Sequence, residues 1–187
     1  MELAEKIIES FDGAVKDAFV TTVSLPIIPI NDCGIAAELK CVKSSIIFRG
    51  TLEGKVSIFL TEDSACRIVS KMLMMEISSL NGDVLDGISE LANIIAGGLK
   101  MRLHPLGQSY ELSIPSTLAN AKSEITALSN HTFVQNDYQY DEIKFRVVLM
   151  YRSLETSKAA VEETKAEPEK PKLSALDLLN QALKNKK

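Results

Sequence analysis

Glu90 and Asn93 are the residues of this chain whose types and spacing could do chemistry. They stand three apart in DVLDGISELANIIAGGLKMRLH, residues 83–104. If that run is helical, residues three and four apart share a face, so the two side chains point the same way about one turn apart. Asp86, Gly97 and Lys100 extend the stripe, in steps of four, three, four and three from Asp86 to Lys100. Acids and an amide on the outer face of an amphipathic helix are ordinarily just a solvated surface. Two costs argue for more. Asn is a poor helix former, and nothing local explains it in mid-helix. Gly97 and Gly98 each cost about 1 kcal/mol relative to Ala. Gly98 falls near the apolar face, where it lets another element pack close. Gly97 falls on the polar stripe, where it lets a partner's backbone approach from outside.

Other chemistries find little support. His104 and His131 have no acidic or Cys partner at ligand spacing, so no metal is expected. Cys33, Cys41 and Cys66 are odd in number, lie far apart and form no CxxC, which reads as free thiols of a cytoplasmic protein. Ser89 has no GxSxG around it and is not a nucleophile elbow. The net charge of -4, from 21 basic and 25 acidic residues, argues against nucleic acid as the main ligand. No apolar run approaches the roughly 18 residues that a membrane span needs. The opening MELAEKIIES carries acids where a signal peptide carries bases.

The elements that must position the stripe can be read from periodicity. The 187 residues suit one domain with an appendage. Residues 2 to 19 place Leu3, Ile7, Ile8, Phe11, Val15 and Phe19 on one helical face. Strands follow in IAAELKC, KSSIIFRGTL and GKVSIFLT, with Glu53-Gly54 as a hairpin turn. Thr61 is a helix N-cap for TEDSACRIVSKMLM, with acids in the first turn. After the breaker Asn81-Gly82, the long helix from Asp83 to His104 has a second, apolar stripe in Val84, Ile88, Leu91, Ile95 and Leu99. YELSI, a polar irregular stretch, HTFVQN and the alternating strand EIKFRVVLMYR complete the body. Strands grouped around long helices, without βαβ alternation, predict an α+β fold with an antiparallel sheet. Composition changes at Ser153. Residues 153–172 read as a flexible linker, and 173–187 as a short amphipathic helix with Ser174 as N-cap and Leu176, Leu179 and Leu183 on one stripe.

The run DVLDGISELANIIAGGLK followed by ELSIPS resembles the CheX branch of the CheC/CheX/FliY phosphatases of bacterial chemotaxis. The family's motif of Asp or Ser, Glu, Asn and a later Pro falls here on Asp86, Glu90, Asn93 and Pro115. The 21 residues between Asn93 and Pro115 are one short of the family pattern. The resemblance covers residues 1–152. It implies an antiparallel sheet with two long helices packed on one face, and a phosphatase acting on the aspartyl phosphate of the response regulator CheY. The first helix lacks a Glu followed three residues later by Asn, so a single site is implied. In that reading Asn93 holds the attacking water and Glu90 pairs with the receiver's active-site Lys. Asp86, Gly97 and Lys100 contact the partner. The receiver supplies Mg²⁺, and the phosphatase has no cofactor of its own. The resemblance also implies a homodimer joined through sheet edges, for which EIKFRVVLMYR is a long strand hazardous as an open edge. Leu176, Leu179 and Leu183 look like a recruiting helix for the receiver. A non-enzymatic module that senses or sequesters a phosphorylated receiver is the alternative.

Overall fold

A computed structural model describes residues 3–125 and 130–154. The segments expected as linker and C-terminal helix, with Leu176, Leu179 and Leu183, lie outside the described residues apart from Ser153 and Leu154. The chain opens with helix α1 (Leu3–Ala18), which runs into a π-helical turn at Phe19–Val23. Strands β1 (Ile28–Ile30), β2 (Lys40–Gly50) and β3 (Leu52–Leu60) come next. Helices α2 (Glu62–Leu73) and α3 (Gly82–Leu103) follow. The body closes with β4 (Tyr110–Leu112), β5 (Ser116–Lys122), β6 (Thr132–Tyr140) and β7 (Ile143–Ser153).

All the strand pairs are antiparallel, and the sheet runs β1-β6-β7-β3-β2, with β4 and β5 both on the outer side of β2. The fold is therefore α+β, as the sequence predicts. Strand alternation sends one set of side chains to the helices. Val42, Ile46, Val56, Ile58, Phe145, Val147 and Leu149 share a buried core with Phe11 and Val15 of α1, Ile68 and Val69 of α2, and Ile88, Leu91 and Ile95 of α3. Phe19 stacks on Phe145, ring centroids 4.3 Å apart. Among the described residues the opposite sheet face is covered at one end only, where Cys33 and Ile35 fold over Cys41, Phe59 and Val148.

Several expectations need correction. Glu53-Gly54 is not the hairpin turn. Gly54 lies inside β3 between Phe48 and Tyr151, and Thr51 alone separates β2 from β3. Glycine at 54 serves close strand packing, since a Cβ there would lie 2.8 Å from the Phe48 ring. The alternation in IAAELKC yields strand only from Lys40. Ile35–Leu39 instead turns, with the Leu39 N–H donating to the Ala36 carbonyl at 2.9 Å. The irregular stretch after YELSI contains β5, and the HTFVQN strand continues to Tyr140. β7 is not an edge, because β3 and β6 flank it on both sides.

Candidate functional site

Helix α3 is held on three sides. The Asn81 side chain caps its start, accepting from the Val84 N–H at 3.0 Å. Beneath, Val84, Ile88, Leu91, Ile95 and Leu99 are all buried, so the predicted apolar stripe faces the core. On one flank α2 packs against Gly87, where a Cβ would meet the Val69 methyls at 2.7 and 2.8 Å. Farther along that flank, a Cβ on Gly98 would lie 3.5 Å from the Ala14 Cβ, so α1 is the element that packs close there. Arg102, in the last turn of α3, forms an ion pair with Asp17 of α1 and lies over Gly13. On the other flank Lys100 reaches Glu111 of β4 at 3.5 Å.

What remains outward is the polar stripe. Asp86, Glu90 and Asn93 are exposed, and Gly97 and Lys100 are half-buried. The structure thus brings the predicted stripe together on one free helix face. The side chains of Glu90 and Asn93 make no hydrogen bond or ion pair with the described residues. A Cβ on Gly97 would meet nothing within 4 Å. Lys100 is the member with a partner, and that exposed pair is of the weakly held kind that another acid can displace. Pro115 is half-buried immediately before β5. There the outer neighbour of β2 changes from β4 to β5, with Ser113 exchanging hydrogen bonds with Ile47 at 2.8 and 3.0 Å. Spacing alone passed over Met101, which is 78% exposed one turn beyond Gly97. A methionine one turn beyond Gly97, next to Lys100 on the polar side of the helix, was its only sequence signal.

The stripe is an open surface. A cavity of about 770 Å³ beside α2 and one of about 480 Å³ on the uncovered sheet face are lined by other residues. Ligand atoms of Asp32, Cys33 and Asp137 lie within 4.8 Å of one another. That group is already occupied by protein. Asp137 accepts from Arg146 Nε and Nη2, both at 2.8 Å, and from the Cys33 N–H at 2.9 Å. Burial pushes the Asp137 carboxyl up, but the guanidinium and the N–H outweigh it and hold the carboxyl below its usual range. Burial, with Asp137 alongside, pushes the Cys33 thiol up to about 11. A protonated thiol and a carboxylate held by arginine suit structure, not metal ligation. The three cysteines are free and buried. Among the described residues no helix is long and apolar enough to cross a membrane.

The stripe therefore offers an incoming molecule a carboxylate, a carboxamide and a bare backbone patch on a rigid mount. A family described as chemotaxis phosphatase CheX matches residues 42–139, which include the whole stripe. The CheY-P phosphatase CheX of Thermotoga maritima is 31% identical over 77 residues, 41% of this chain and 50% of that relative. The chain thus spans about half the length of the curated relative it matches. The chemotaxis protein CheX of Vibrio vulnificus superposes with a TM-score of 0.70 at 21% identity, over 78% of this chain and 96% of that one. A CheX–CheY–BeF3–Mg²⁺ complex from Borrelia burgdorferi gives 0.66 at 20% identity, over 78% and 97%. At these identities the two structures show a shared fold.

Proposed function

The chain belongs to the CheX family of chemotaxis phosphatases, and from that premise we propose that it hydrolyses the aspartyl phosphate of a CheY-like receiver. The observation that carries the reading is the free stripe of α3, where Glu90 and Asn93 have no structural work among the described residues. An aspartyl phosphate is already an activated acyl phosphate. The receiver's own Mg²⁺ neutralises charge on the phosphoryl oxygens, so the phosphatase needs neither a nucleophile nor a metal. It needs a water in line with the phosphorus–oxygen bond to the receiver's aspartate. Attack at phosphorus breaks that bond, releases inorganic phosphate and restores the carboxylate. Positioning is most of the catalysis in such transfers.

Asn93 suits this task. Its carboxamide oxygen accepts a hydrogen bond from the water, its NH2 donates one, and it carries no charge to repel phosphate. Glu90, one turn earlier, pairs with the receiver's active-site lysine and fixes the docking angle. Asp86 assists docking at the edge of the contact. Gly97 admits the receiver's backbone, and Lys100 exchanges Glu111 for a receiver acid. Holding the amide on a helix anchored by α1, α2 and the sheet matters, since a misplacement of about 1 Å can cost about 100-fold. The CheX–CheY–BeF3–Mg²⁺ complex from Borrelia burgdorferi supports both the partner and the source of the metal.

Two further parts belong to this reading. The protein pairs with a second copy through sheet edges, and β5 is the longer edge among the described residues, with seven residues against three in β1. Leu176, Leu179 and Leu183 recruit the receiver, on their spacing in the sequence alone. The deciding experiment mixes the full chain with a phosphorylated CheY-like receiver and follows phosphate release and binding separately. Asn93→Ala should lose about 100-fold in rate while binding stays nearly intact. Glu90→Ala should weaken both. An Asn93→Ala variant that keeps most of its rate refutes the mechanism. A wild-type chain that binds the phosphorylated receiver without speeding hydrolysis is a binding module, not an enzyme.

A further inference from the structure

One end of the sheet, on the face away from the helices, is left open by the described residues and is unusual in composition. Alternation places Ile47 on this face, 45% exposed, opposite Lys55 of β3. Leu118 of β5 is 57% exposed opposite Lys43, and Met150 of β7, buried, lies opposite Lys55 on its other side. Two cavities, of about 480 and 310 Å³, share Ile47 and Lys55 in their walls, so they form one continuous groove across the strands. The other end of the same face is closed by the chain itself, through Cys33 and Ile35.

The groove is also basic. Lys43, Arg49 and Lys55 make no ion pair with the described residues, and Lys43 instead lies 5.1 Å from the Phe59 ring centroid. Arg152 is paired with Glu53. Three unmatched cations are thus concentrated here in a chain whose net charge is -4. Burial, and then the charge of Lys43, lower the basicity of Lys55, as expected of like charges held together without a counter-ion.

We propose that this groove docks an acidic amphipathic segment of a partner protein, with apolar side chains on Ile47 and Leu118 and carboxylates on Lys43, Arg49 and Lys55. Charge decides the choice of occupant. A two-fold contact brings the same patch together from both copies, and here it would set three cations against three. A segment carrying carboxylates beside leucine-like side chains matches both the floor and the rim, the helix-in-groove mode of recognition. The groove lies across the sheet from the stripe of α3, so both surfaces can be engaged at once.

The test titrates the isotopically labelled full chain with a synthetic amphipathic peptide that carries leucines on one helical face and glutamates beside them. The expected result is saturable shifts at Ile47, Lys55, Leu118 and Met150, weakened by salt. The Lys43→Glu, Lys55→Glu double variant, checked for unchanged circular dichroism, should lose about tenfold in affinity or more. Leu118→Asp provides a second variant that leaves the cations in place and should weaken binding too. Equal binding of a lysine-for-glutamate peptide or of a scrambled one, shifts confined to α3, or no binding at millimolar peptide would overturn the proposal. So would a change of sedimented mass in the double variant, which assigns the groove to a second copy. Shifts of residues 155–187 in the double variant without peptide would assign it to the chain's own C-terminal segment, and would overturn it equally.

Discussion

Three glycines of α3 make a sharp test of which helix faces are structural and which are open to a partner. Replacing glycine by alanine inside a helix gains about 1 kcal/mol from propensity alone. At Gly97 the new methyl would meet nothing within 4 Å, so the whole gain should appear. That should raise the melting temperature by about 2–4 °C for a chain of this size. At Gly98 the methyl would sit at ordinary contact distances, 3.5 Å from the Ala14 Cβ and 3.8 Å from its Cα, and a similar gain is expected. At Gly87 it would lie 2.7 and 2.8 Å from the Val69 methyls. Overpacking of that kind costs about 1–3 kcal/mol, so Gly87→Ala should be neutral to destabilising by up to about 2 kcal/mol. Function should sort them differently. Gly97→Ala should be more stable yet slower on a phosphorylated receiver, because the methyl stands where the partner's backbone passes. A shift of about 1 Å is enough to cost up to about 100-fold. Gly98→Ala should be more stable and fully active. The assays are thermal unfolding by circular dichroism and phosphate release under identical conditions. A Gly97→Ala variant that gains stability and keeps its full rate would show that no partner comes close there.

Other expected outcomes concern the body and the tail. Asp137→Asn should cost about 3 kcal/mol, since it leaves Arg146 charged and largely buried, with only exposed Asp32 nearby at 3.5 Å. Because the folded carboxyl titrates below its ordinary value near 3.8, its contribution is full above that value and is lost as pH falls through the lower folded one; urea titrations from pH 5 down to about pH 2 should show a flatter acid loss in the variant. Tyr110→Phe should leave stability unchanged or raise it by about 1 kcal/mol in chemical unfolding, because the buried hydroxyl has no partner among the described residues. Deleting residues 155–187 should raise the apparent Michaelis constant for the phosphorylated receiver and leave the saturated rate unchanged, as loss of a tether would. An unchanged constant removes the recruiting role.

What could be read from the sequence divides by the range of the interactions. Helices α2 and α3 were legible because Thr61 caps α2 locally, Asn81-Gly82 marks the break before α3, and the apolar spacing of α3 is unbroken; that Asn81 is itself the cap of α3 came from the structure. The missed features are set by distant neighbours. β5 reads STLANAK, with one large apolar residue, and it is a strand because β2 lies beside it. Gly54 carries a turn signal but answers to Phe48 and Tyr151 on the adjacent strands. Alternation in β7 picked out the face turned to the helices, but could not tell that Val148 and Met150 on the other face are buried too, or that strands would flank it on both sides. The Asp137–Arg146 pair was likewise invisible, because the eight residues between them include a turn that only strand pairing reveals.

The stripe of α3 was legible for the opposite reason. A residue that the fold needs is explained by its contacts once the structure is known. Gly87 is explained by Val69, and Arg102 by Asp17. Of the residues that local helix rules disfavoured, Gly98 packs against Ala14, whereas Asn93 and Gly97 find no compensating contact among the described residues. A cost of about 1 kcal/mol at Gly97 is a large share of a stability margin of about 5–15 kcal/mol. If alanine at 97 is more stable in isolation, then something other than folding keeps glycine there. The partner surface is the explanation on which Glu90, Asn93 and Gly97 converge, and it is the one that the Gly97→Ala and Asn93→Ala variants separate. The first alters how closely the receiver can approach. The second leaves the approach intact and removes only the group that holds the water.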